Sequence, residues 1–256
     1  MALHDAGKSA KFIFAPGSNK SDSHEPQQAA QFNFATLTRK DLDDDPFVQF
    51  HSWFSDKRLE GTNPETVTLS TCSLPSGRVS ARTVYLKELD SRGFVVYSNF
   101  GTSRKAADVK SSPYASLTFW WKPLERQVRV EGPTERLSQE QSQIYYSTRP
   151  RGSKIGAWAS QQSNVLRPRD GDDGRAELEE QVKEIEERFK DFEDKDLPVP
   201  PFWGGLRVIP DVIEFWQGRE SRLHDRLQFE RDLKIQDDGF VAQDGHSEWT
   251  VQRLSP

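Results

Sequence analysis

The sequence predicts an α+β domain built around an antiparallel meander or barrel of strands. Five strand-like runs follow one another between residues 66 and 131, and turn residues such as Pro75-Ser76-Gly77 separate them by short links. Short links suit antiparallel neighbours, whereas a parallel, doubly wound sheet needs long crossovers. A charged helix then separates these runs from further strands, so we expect elements on both sides of it to complete one sheet.

The chain opens on a polar segment. Residues 1–40 are rich in Ser, Asn, Gln, Gly and Pro and show little hydrophobic periodicity, so the sequence predicts a disordered N-terminal tail there and one domain over residues 41–256. Acidic residues interrupt the lysines of this segment, and its first arginine is Arg39. A transit peptide would be rich in arginine and poor in acids. We therefore expect a cytoplasmic protein, with import into an organelle as the alternative.

The first helix is expected to begin at Asp45-Pro46. An Asp at the N-cap accepts hydrogen bonds from unpaired amides, and a proline suits the first helical position. Phe47, Phe50 and Phe54 give this helix one apolar stripe. The five strand-like runs that follow span residues 66–74, 79–87, 93–99, 115–121 and 125–131.

Further helices interrupt and follow these strands. Ser138 and Gln141 form a capping-box signature, which predicts a helix to about residue 147. Apolar residues spaced by three and four give the charged helix at 175–193 one apolar face, and the prolines from Pro198 onward prevent its continuation. The other predicted elements are helices at 103–110 and 153–160 and strands at 206–216, 226–231 and 249–254.

Composition excludes several classes of protein. No run approaches the roughly 18 to 20 apolar residues that cross a bilayer, so we expect no membrane segment. Cys72 is the only cysteine and there are five histidines, three of them near the chain ends, so neither an intrachain disulfide nor a metal site is expected. The net charge of -5 opposes attraction of the whole surface to nucleic acid. Any anion site must therefore be local.

Four local groups of cations stand out against this acidic background. The first is Arg82 with Lys87, whose odd separation places them on opposite faces of an ideal strand unless a bulge intervenes. The second is Arg104 with Lys105, at the start of a helix, where unpaired amides favour an anion. The third group is Tyr145, Arg149, Arg151 and Ser153, and the fourth is Arg222, His224 and Arg226, which would share one face of an extended segment near Trp216.

Each group also has a structural interpretation. The first two are compatible with solvated edge charges and a basic turn. The third is compatible with cations that cap the C-terminus of a helix, and the fourth with an ion-pair network that involves Asp225 or nearby carboxylates. Arginine is nevertheless well suited to bidentate phosphate binding, and His224 can exchange protons near neutral pH. Four such groups in an acidic chain indicate at least two small molecules that carry phosphate.

The same segments resemble the FMN-dependent pyridoxamine 5'-phosphate oxidase family over about residues 45–256. The matching segments lie at 82–87, 97–99, 103–106, 124–128, 149–151, 155–158, 162–163, 201–205, 214–226 and 253–256. The resemblance implies an antiparallel split β-barrel with surrounding helices that binds FMN noncovalently at a homodimer interface. It also implies oxidation of pyridoxamine 5'-phosphate and pyridoxine 5'-phosphate by O2 to pyridoxal 5'-phosphate, with release of H2O2.

Site residues follow from the resemblance position by position. The implied FMN contacts are Arg82, Thr83, Val84, Tyr85, Leu86, Lys87, Tyr97, Ser98, Arg104, Lys105, Gln127, Gln162, Ser163, Trp216 and Arg226. The implied substrate contacts are Lys87, Tyr145, Arg149, Ser153, Arg222, Leu223 and His224, of which Arg222 and His224 are the catalytic candidates beside the pyridine ring. Ala29-Ala30-Gln31-Phe32 lacks the basic and Tyr residues that close over substrate in the family, so a lid from this stretch is not expected.

Three alternatives remain open at this stage. A split-barrel flavoprotein could act on another substrate, a binding module could store or deliver pyridoxal phosphate, and a barrel could bind RNA, although the acidic charge opposes the last. The sequence also leaves open the preference between the amine and alcohol substrates and the subunit that supplies each FMN contact.

Overall fold

The computed structural model describes residues 4–5, 13–14, 31–169, 171–235, 241–246 and 248–256. Its α-helices are α1 (Pro46–Phe54), α2 (Arg104–Ser111), α3 (Gln139–Ser147), α4 (Arg151–Ala159) and α5 (Arg175–Arg188). Its strands are β1 (His4–Asp5), β2 (Ile13–Phe14), β3 (Thr66–Ser73), β4 (Arg78–Leu89), β5 (Phe94–Asn99), β6 (Tyr114–Trp121), β7 (Arg126–Arg136), β8 (Trp203–Val208), β9 (Val212–Gln217), β10 (Asp225–Glu230), β11 (Leu233–Ile235), β12 (Val241–His246) and β13 (Thr250–Leu254).

Six strands form a closed antiparallel barrel. The order β7-β6-β3-β4-β5-β8 closes on itself because β7 pairs with β8 as well as with β6. The first half of β7 pairs instead with β9, and β10 and β13 continue the sheet beyond it. The predicted antiparallel barrel of an α+β domain is therefore confirmed, and strands from both sides of α5 complete one sheet as expected.

β7 changes partners at Gly132. A side chain at this position would place its Cβ 2.0 Å from the carbonyl oxygen of Ile209, so only glycine lets the two backbones approach so closely. Ile209 and Pro210 lie between β8 and β9, which breaks the single strand predicted at 206–216 into two. The proline explains the break, because it cannot donate a ladder hydrogen bond.

Aromatic side chains fill the barrel and join α1 to it. The Phe50 ring lies 4.9 Å from those of Phe94 and Phe119, centroid to centroid, and Phe50 is 1% exposed. Phe47 and Phe54 pack against the same core, so the predicted apolar stripe of α1 is confirmed. Edge-to-face contacts of this kind add to the free energy gained from burying apolar area.

Packed structure begins before the predicted boundary at residue 41. Leu37 is 2% exposed, and its amide donates a 3.0 Å hydrogen bond to Asp225 Oδ2. Within the predicted tail, β1 pairs with β2, while all other residues up to 30 lie outside the described ranges. Polar composition concealed Leu37, because one buried leucine in a polar segment gives no periodic signal. No helix in the described part of the chain is long and apolar enough to cross a membrane.

Candidate active site

A cleft of about 450 Å³ lies where β4 and β5 face α3 and α4. It brings together residues from both predicted sets, cofactor and substrate contacts alike. The predicted residues that line it are Thr83, Val84, Tyr85, Lys87, Tyr97, Ser98, Tyr145, Arg149, Ser153 and Gln162, and the others are Asn99, Gly156, Ala157, Ser160 and Trp203.

A β-bulge places Lys87 in this cleft. Leu86 pairs with Val96 and Glu88 pairs with Val95, so Lys87 is the extra residue of β4. Leu86 is buried in the barrel core, whereas Lys87 is exposed on the outer face. The odd spacing of Arg82 and Lys87 left open whether a bulge lies between them, and the structure shows that one does. Lys87 and Arg82 still lie apart, because the Arg82 guanidinium donates to Leu69 O at 3.1 Å and not into the cleft.

Arg149 is the cation best prepared for an anion. Its Cζ lies 4.8 Å from the centroid of the Trp203 ring, so stacking holds the guanidinium plane. Its Nη1 is buried and has no hydrogen-bond partner among the described residues. Burial lowers the pKa of Arg149, because removal from water disfavours the cation. Tyr145 and Ser153 line the same cleft, so an anion there would meet hydroxyl donors as well.

Lys154 fixes the turn that carries Arg149. It is 1% exposed, and its Nζ donates to Ser147 O at 2.8 Å and to Asp194 O at 2.5 Å. In return the Tyr146 hydroxyl donates to Lys154 O at 2.8 Å. These bonds tie the end of α3 to the start of α4. Sequence reasoning missed Lys154, although a lysine at an otherwise apolar helix position is a readable signal.

Arg151 does not line the cleft. Its guanidinium donates to the carbonyls of Phe189 at 2.7 Å and Phe192 at 3.0 Å, and it pairs with Asp194 at 2.8 Å. The capping interpretation of the third group therefore applies to Arg151, although the carbonyls belong to the segment after α5. Tyr145, Arg149 and Ser153 remain in the cleft.

A second cationic region adjoins the cleft at the start of α2. Lys105 is 5% exposed and donates through Nζ to Gln162 Oε1, and the Ser98 hydroxyl also reaches this oxygen at 3.4 Å. Burial, followed by the charge of Arg82, lowers the pKa of Lys105 to about 8. The Arg104 amide donates to Ser163 Oγ at 3.3 Å. Predicted FMN contacts from β5, α2 and the segment after α4 thus meet here.

Asp108 orders this region and was not predicted. Its Oδ2 accepts hydrogen bonds from Thr71 Oγ1 at 2.7 Å and Ser80 Oγ at 2.9 Å and lies 3.8 Å from Arg82 Nη2. The Arg82 side chain also donates to Thr71 Oγ1 at 2.8 Å. Asp108 therefore compensates the charge of Arg82. Lys105, by contrast, donates to an amide and not to a carboxylate, so its charge is uncompensated.

The fourth group lies on the β9–β10 side of the sheet, outside the lining of this cleft. The rings of Trp216 and His224 are 4.5 Å apart, and His224 Nδ1 accepts a 3.1 Å hydrogen bond from the Arg219 amide. Burial, followed by the charge of Arg222, lowers the pKa of His224. Gln127 is the cross-strand neighbour of Trp216, and Leu223 is exposed.

Arg222, His224 and Arg226 would share one face only if their segment were extended, and it is not. β10 begins only at Asp225, and Arg222 has a left-handed φ of 63°, so the segment before β10 is a turn. Arg226 donates to Glu214 at 2.8 and 3.0 Å, and the hydrogen bond with Glu214 raises the pKa of Arg226. The ion-pair interpretation therefore holds for Arg226, with Glu214 as its partner.

The stretch before residue 37 packs against this fourth group. The Phe32 ring lies 5.7 Å from Trp216 and 5.8 Å from His224, and Gln31 Oε1 accepts a 2.8 Å hydrogen bond from the Ser221 amide. Ala29 and Ala30 lie outside the described residues. The sequence indicated only that basic and Tyr residues are absent here, so the contact of Phe32 with His224 is a finding of the structure.

Family models and curated relatives match most of the chain. A model described as pyridoxamine 5'-phosphate oxidase matches residues 56–189, and one described as pyridoxine 5'-phosphate oxidase C-terminal dimerisation region matches residues 203–256. The pyridoxamine 5'-phosphate oxidase of Saccharomyces cerevisiae is 50% identical over 228 residues, 88% of this chain and 92% of the relative. The pyridoxine/pyridoxamine 5'-phosphate oxidase of Burkholderia multivorans is 47% identical over 226 residues, 88% and 95% of the two chains.

Solved structures share the fold at lower identity. PhzG from Burkholderia lata, in complex with tetrahydrophenazine-1-carboxylic acid, has a TM-score of 0.70 at 24% identity and covers 86% of this chain and 98% of its own. A pyridoxamine 5'-phosphate oxidase-related, FMN-binding protein from Nostoc punctiforme has a TM-score of 0.58 at 14% identity, with 83% and 98% covered. These likenesses concern the fold and confirm the predicted split barrel.

Proposed function

The chain belongs to the pyridoxamine 5'-phosphate oxidase family, and from this premise we propose that it is an FMN-dependent oxidase of phosphorylated B6 vitamers. Pyridoxine 5'-phosphate and O2 would give pyridoxal 5'-phosphate and H2O2. Pyridoxamine 5'-phosphate, O2 and water would give the same products and ammonia. The observation that carries the proposal is the buried, unpartnered Nη1 of Arg149 in a cleft shared with Lys87, Tyr145 and Ser153.

The region at the start of α2 fits the phosphate of FMN. Lys105 is buried beside Arg82, and its pKa of about 8 reflects both burial and that neighbouring charge. A phosphate between these cations and the Arg104 amide would replace repulsion with charge-assisted hydrogen bonds. When bound, FMN supplies the two-electron acceptor that protein side chains lack.

The substrate phosphate is assigned to Arg149, Lys87, Tyr145 and Ser153. Arg149 stacks on Trp203 before any ligand binds, so little side-chain entropy is lost when its free N–H groups meet phosphate oxygens. Anchoring at the phosphate fixes where the C4' end of the substrate lies, and such positioning makes the reaction effectively unimolecular. Pyridoxine without a phosphate would lose this anchor.

A second copy of the chain would complete the site. Arg222, His224, Trp216 and Gln127 do not line the cleft of their own chain, yet part of this group lies in the segment that matches a dimerisation region. The barrel also exposes apolar side chains, among them Val79 at 73% and Trp120 at 46%. In a homodimer with FMN at the interface, this group from one protomer faces the cleft of its partner, where Arg222 and His224 hold the pyridine ring.

Anaerobic mixing tests the reaction directly. Pyridoxamine 5'-phosphate added to the FMN-loaded protein should bleach the flavin absorbance, and air should restore it with formation of H2O2. If bound flavin stays oxidised, a flavoprotein with another substrate is the better interpretation. A protein that binds pyridoxal phosphate but no flavin would instead be a carrier.

We also place the reaction in the cytoplasm, which cell fractionation would test.

A variant pair tests the phosphate assignment. Arg149→Met should lower kcat/KM for pyridoxamine 5'-phosphate about 100-fold, since charge-assisted hydrogen bonds contribute ~1.5–3 kcal/mol each. Activity with unphosphorylated pyridoxine should change little. Arg167→Met, at an exposed loop arginine, is the matched control. Equal kcat/KM for the Arg149 variant and wild type would refute the assignment.

A further inference from the structure

A carboxylate lies at the edge of the proposed phosphate subsite. Glu88 directly follows Lys87 at the β4 bulge, and its Oε1 accepts a 2.6 Å hydrogen bond from the Tyr97 hydroxyl. In a regular strand, consecutive side chains point to opposite faces, but the bulge brings both Lys87 and Glu88 to the outer face of the barrel. A negative charge near a phosphate site opposes phosphate binding, so a carboxylate at position 88 must contribute to the subsite in another way.

Glu88 anchors one end of a ring stack that reaches Arg149. The Tyr97 ring lies 4.2 Å from Tyr145 and 5.5 Å from Trp203, centroid to centroid. Trp203 in turn supports the Arg149 guanidinium at 4.8 Å. A hydrogen bond from a hydroxyl to a carboxylate is short and strong, and it restricts the rotation of the Tyr97 ring. The orientation of Tyr97 therefore bears on both a hydroxyl and a cation of the subsite.

The protonation of the two tyrosines agrees with this arrangement. Burial, followed by the hydrogen bond to Glu88, raises the pKa of Tyr97. Burial also raises the pKa of Tyr145, with Arg149 opposing and Glu88 adding to the shift. Both hydroxyls thus remain protonated near neutral pH. Tyr97 donates to Glu88, and Tyr145 keeps a proton to donate to a phosphate oxygen.

We propose that Glu88 is a positioning residue for the phosphate subsite, which acts by fixing Tyr97 and, through the ring stack, Tyr145 and Arg149. This role rests on the proposed function, because it assumes that the cleft binds a phosphorylated substrate. Glu88 therefore affects the reaction only through substrate binding. Loss of the anchor therefore raises KM and leaves kcat at saturating substrate near the wild-type value.

Two substitutions separate the anchor from the charge. Glu88→Leu removes both, and KM for pyridoxamine 5'-phosphate and the inhibition constant of inorganic phosphate should rise about tenfold. Glu88→Gln keeps an acceptor for the Tyr97 hydroxyl, so both constants should stay within about threefold of wild type. Glu184→Leu, at an exposed position of α5, controls for a new surface leucine. All variants are assayed as FMN-loaded protein.

A second measurement tests the path through Tyr97. Tyr97→Phe should raise KM and the inhibition constant of inorganic phosphate as much as Glu88→Leu does, and the double variant should raise them no further, because residues that act through one contact are not additive. The proposal is overturned if Glu88→Leu leaves both constants unchanged, if Glu88→Gln is as impaired as Glu88→Leu, or if the two single effects add. A purely structural loss would lower kcat and thermal stability together, and that result also overturns it.

Direct binding of inorganic phosphate keeps this inference distinct from the proposed function. Calorimetric titration of FMN-loaded wild type and Glu88→Leu needs no turnover. If wild type binds phosphate about tenfold more tightly but does not oxidise B6 phosphates, the positioning role stands and the proposed reaction fails. If turnover is observed and the two proteins bind phosphate equally, the positioning role alone fails.

Discussion

Replacement of Lys105 by Met should stabilise the protein without its cofactor and weaken FMN binding. Lys105 is 5% exposed and donates to Gln162, an amide that carries no compensating charge. Burial, followed by repulsion from Arg82, lowers its pKa from 10.5 to about 8. The folded protein without an anion therefore holds this cation at a cost that methionine, with nearly the same shape, does not carry.

The magnitude follows from the pKa of Lys105. The difference between 10.5 and about 8 corresponds to at most ~3.5 kcal/mol, at ~1.4 kcal/mol for each pH unit. Because the folded-state value is the lower one, the unfolded chain binds more protons between these two pH values. The destabilisation is thus complete below pH 8 and is relieved as pH rises toward 10.5. Loss of the Gln162 hydrogen bond offsets about 1 kcal/mol, which leaves a net gain of at most ~2.5 kcal/mol at pH 7 for Lys105→Met.

Urea unfolding of FMN-free protein at about pH 7 and about pH 10 tests this effect. The stability difference between Lys105→Met and wild type should favour the variant at the lower pH and shrink at the higher one. Lys110→Met, at an exposed position of the same helix, should show no such change. The FMN dissociation constant of Lys105→Met should rise at least about tenfold. A Lys105 variant less stable than wild type by the same amount at both pH values would refute the reasoning.

Three further substitutions test the fold around the site, each by urea unfolding. Leu37→Ala should lower the free energy of unfolding by about 2–4 kcal/mol, because Leu37 is 2% exposed, whereas Leu223→Ala, at 69% exposure, should have little effect. Equal effects would contradict the packed position of residue 37. Gly132→Ala should lower the free energy of unfolding by about 2 kcal/mol or more, since the new Cβ would lie 2.0 Å from a carbonyl oxygen, whereas the Cβ of Gly152→Ala meets no atom, so that substitution should be neutral or stabilising. A tolerated alanine at 132 would show that β7 can change partners without this close approach. Lys154→Met should lower the free energy of unfolding by about 2–3 kcal/mol and weaken phosphate binding, because two carbonyls lose their hydrogen-bond donor. Unchanged phosphate binding in the folded variant would mean that the turn carrying Arg149 does not depend on Lys154.

Features set by adjacent residues were predictable from the sequence. Asp45 caps α1 by accepting from the Phe47 amide at 2.7 Å, and Ser138 with Gln141 forms the predicted capping box of α3. Both depend on a side chain and a backbone group two or three positions away, so tertiary context has little influence on them. The strands of the meander were predictable for a similar reason, since their alternation reflects one buried face.

Features set by tertiary packing were not predictable in the same way. Whether Arg151 enters the cleft or caps carbonyls depends on where the segment after α5 lies, and nothing local to Arg151 specifies that. The same holds for Leu37, whose partner Asp225 is 188 positions away. The resemblance supplied the residues of the cleft, while the structure supplied the separation of Arg222 and His224 from it within one chain.

Some cations of this acidic protein are compensated by a carboxylate and others are not. Arg226 is held by Glu214, and Arg207 by Asp90 and Glu135, so these charges are compensated. Lys105 instead donates to an amide, and Arg149 rests on an aromatic ring with one donor unused. A buried cation without a carboxylate is costly unless a ligand supplies the missing charge. Lys105 and Arg149 lie at the regions assigned to the two phosphates, and phosphates bound there would supply the missing charge. Lys154 is also buried without a carboxylate, but it donates to two backbone carbonyls that tie α3 to α4.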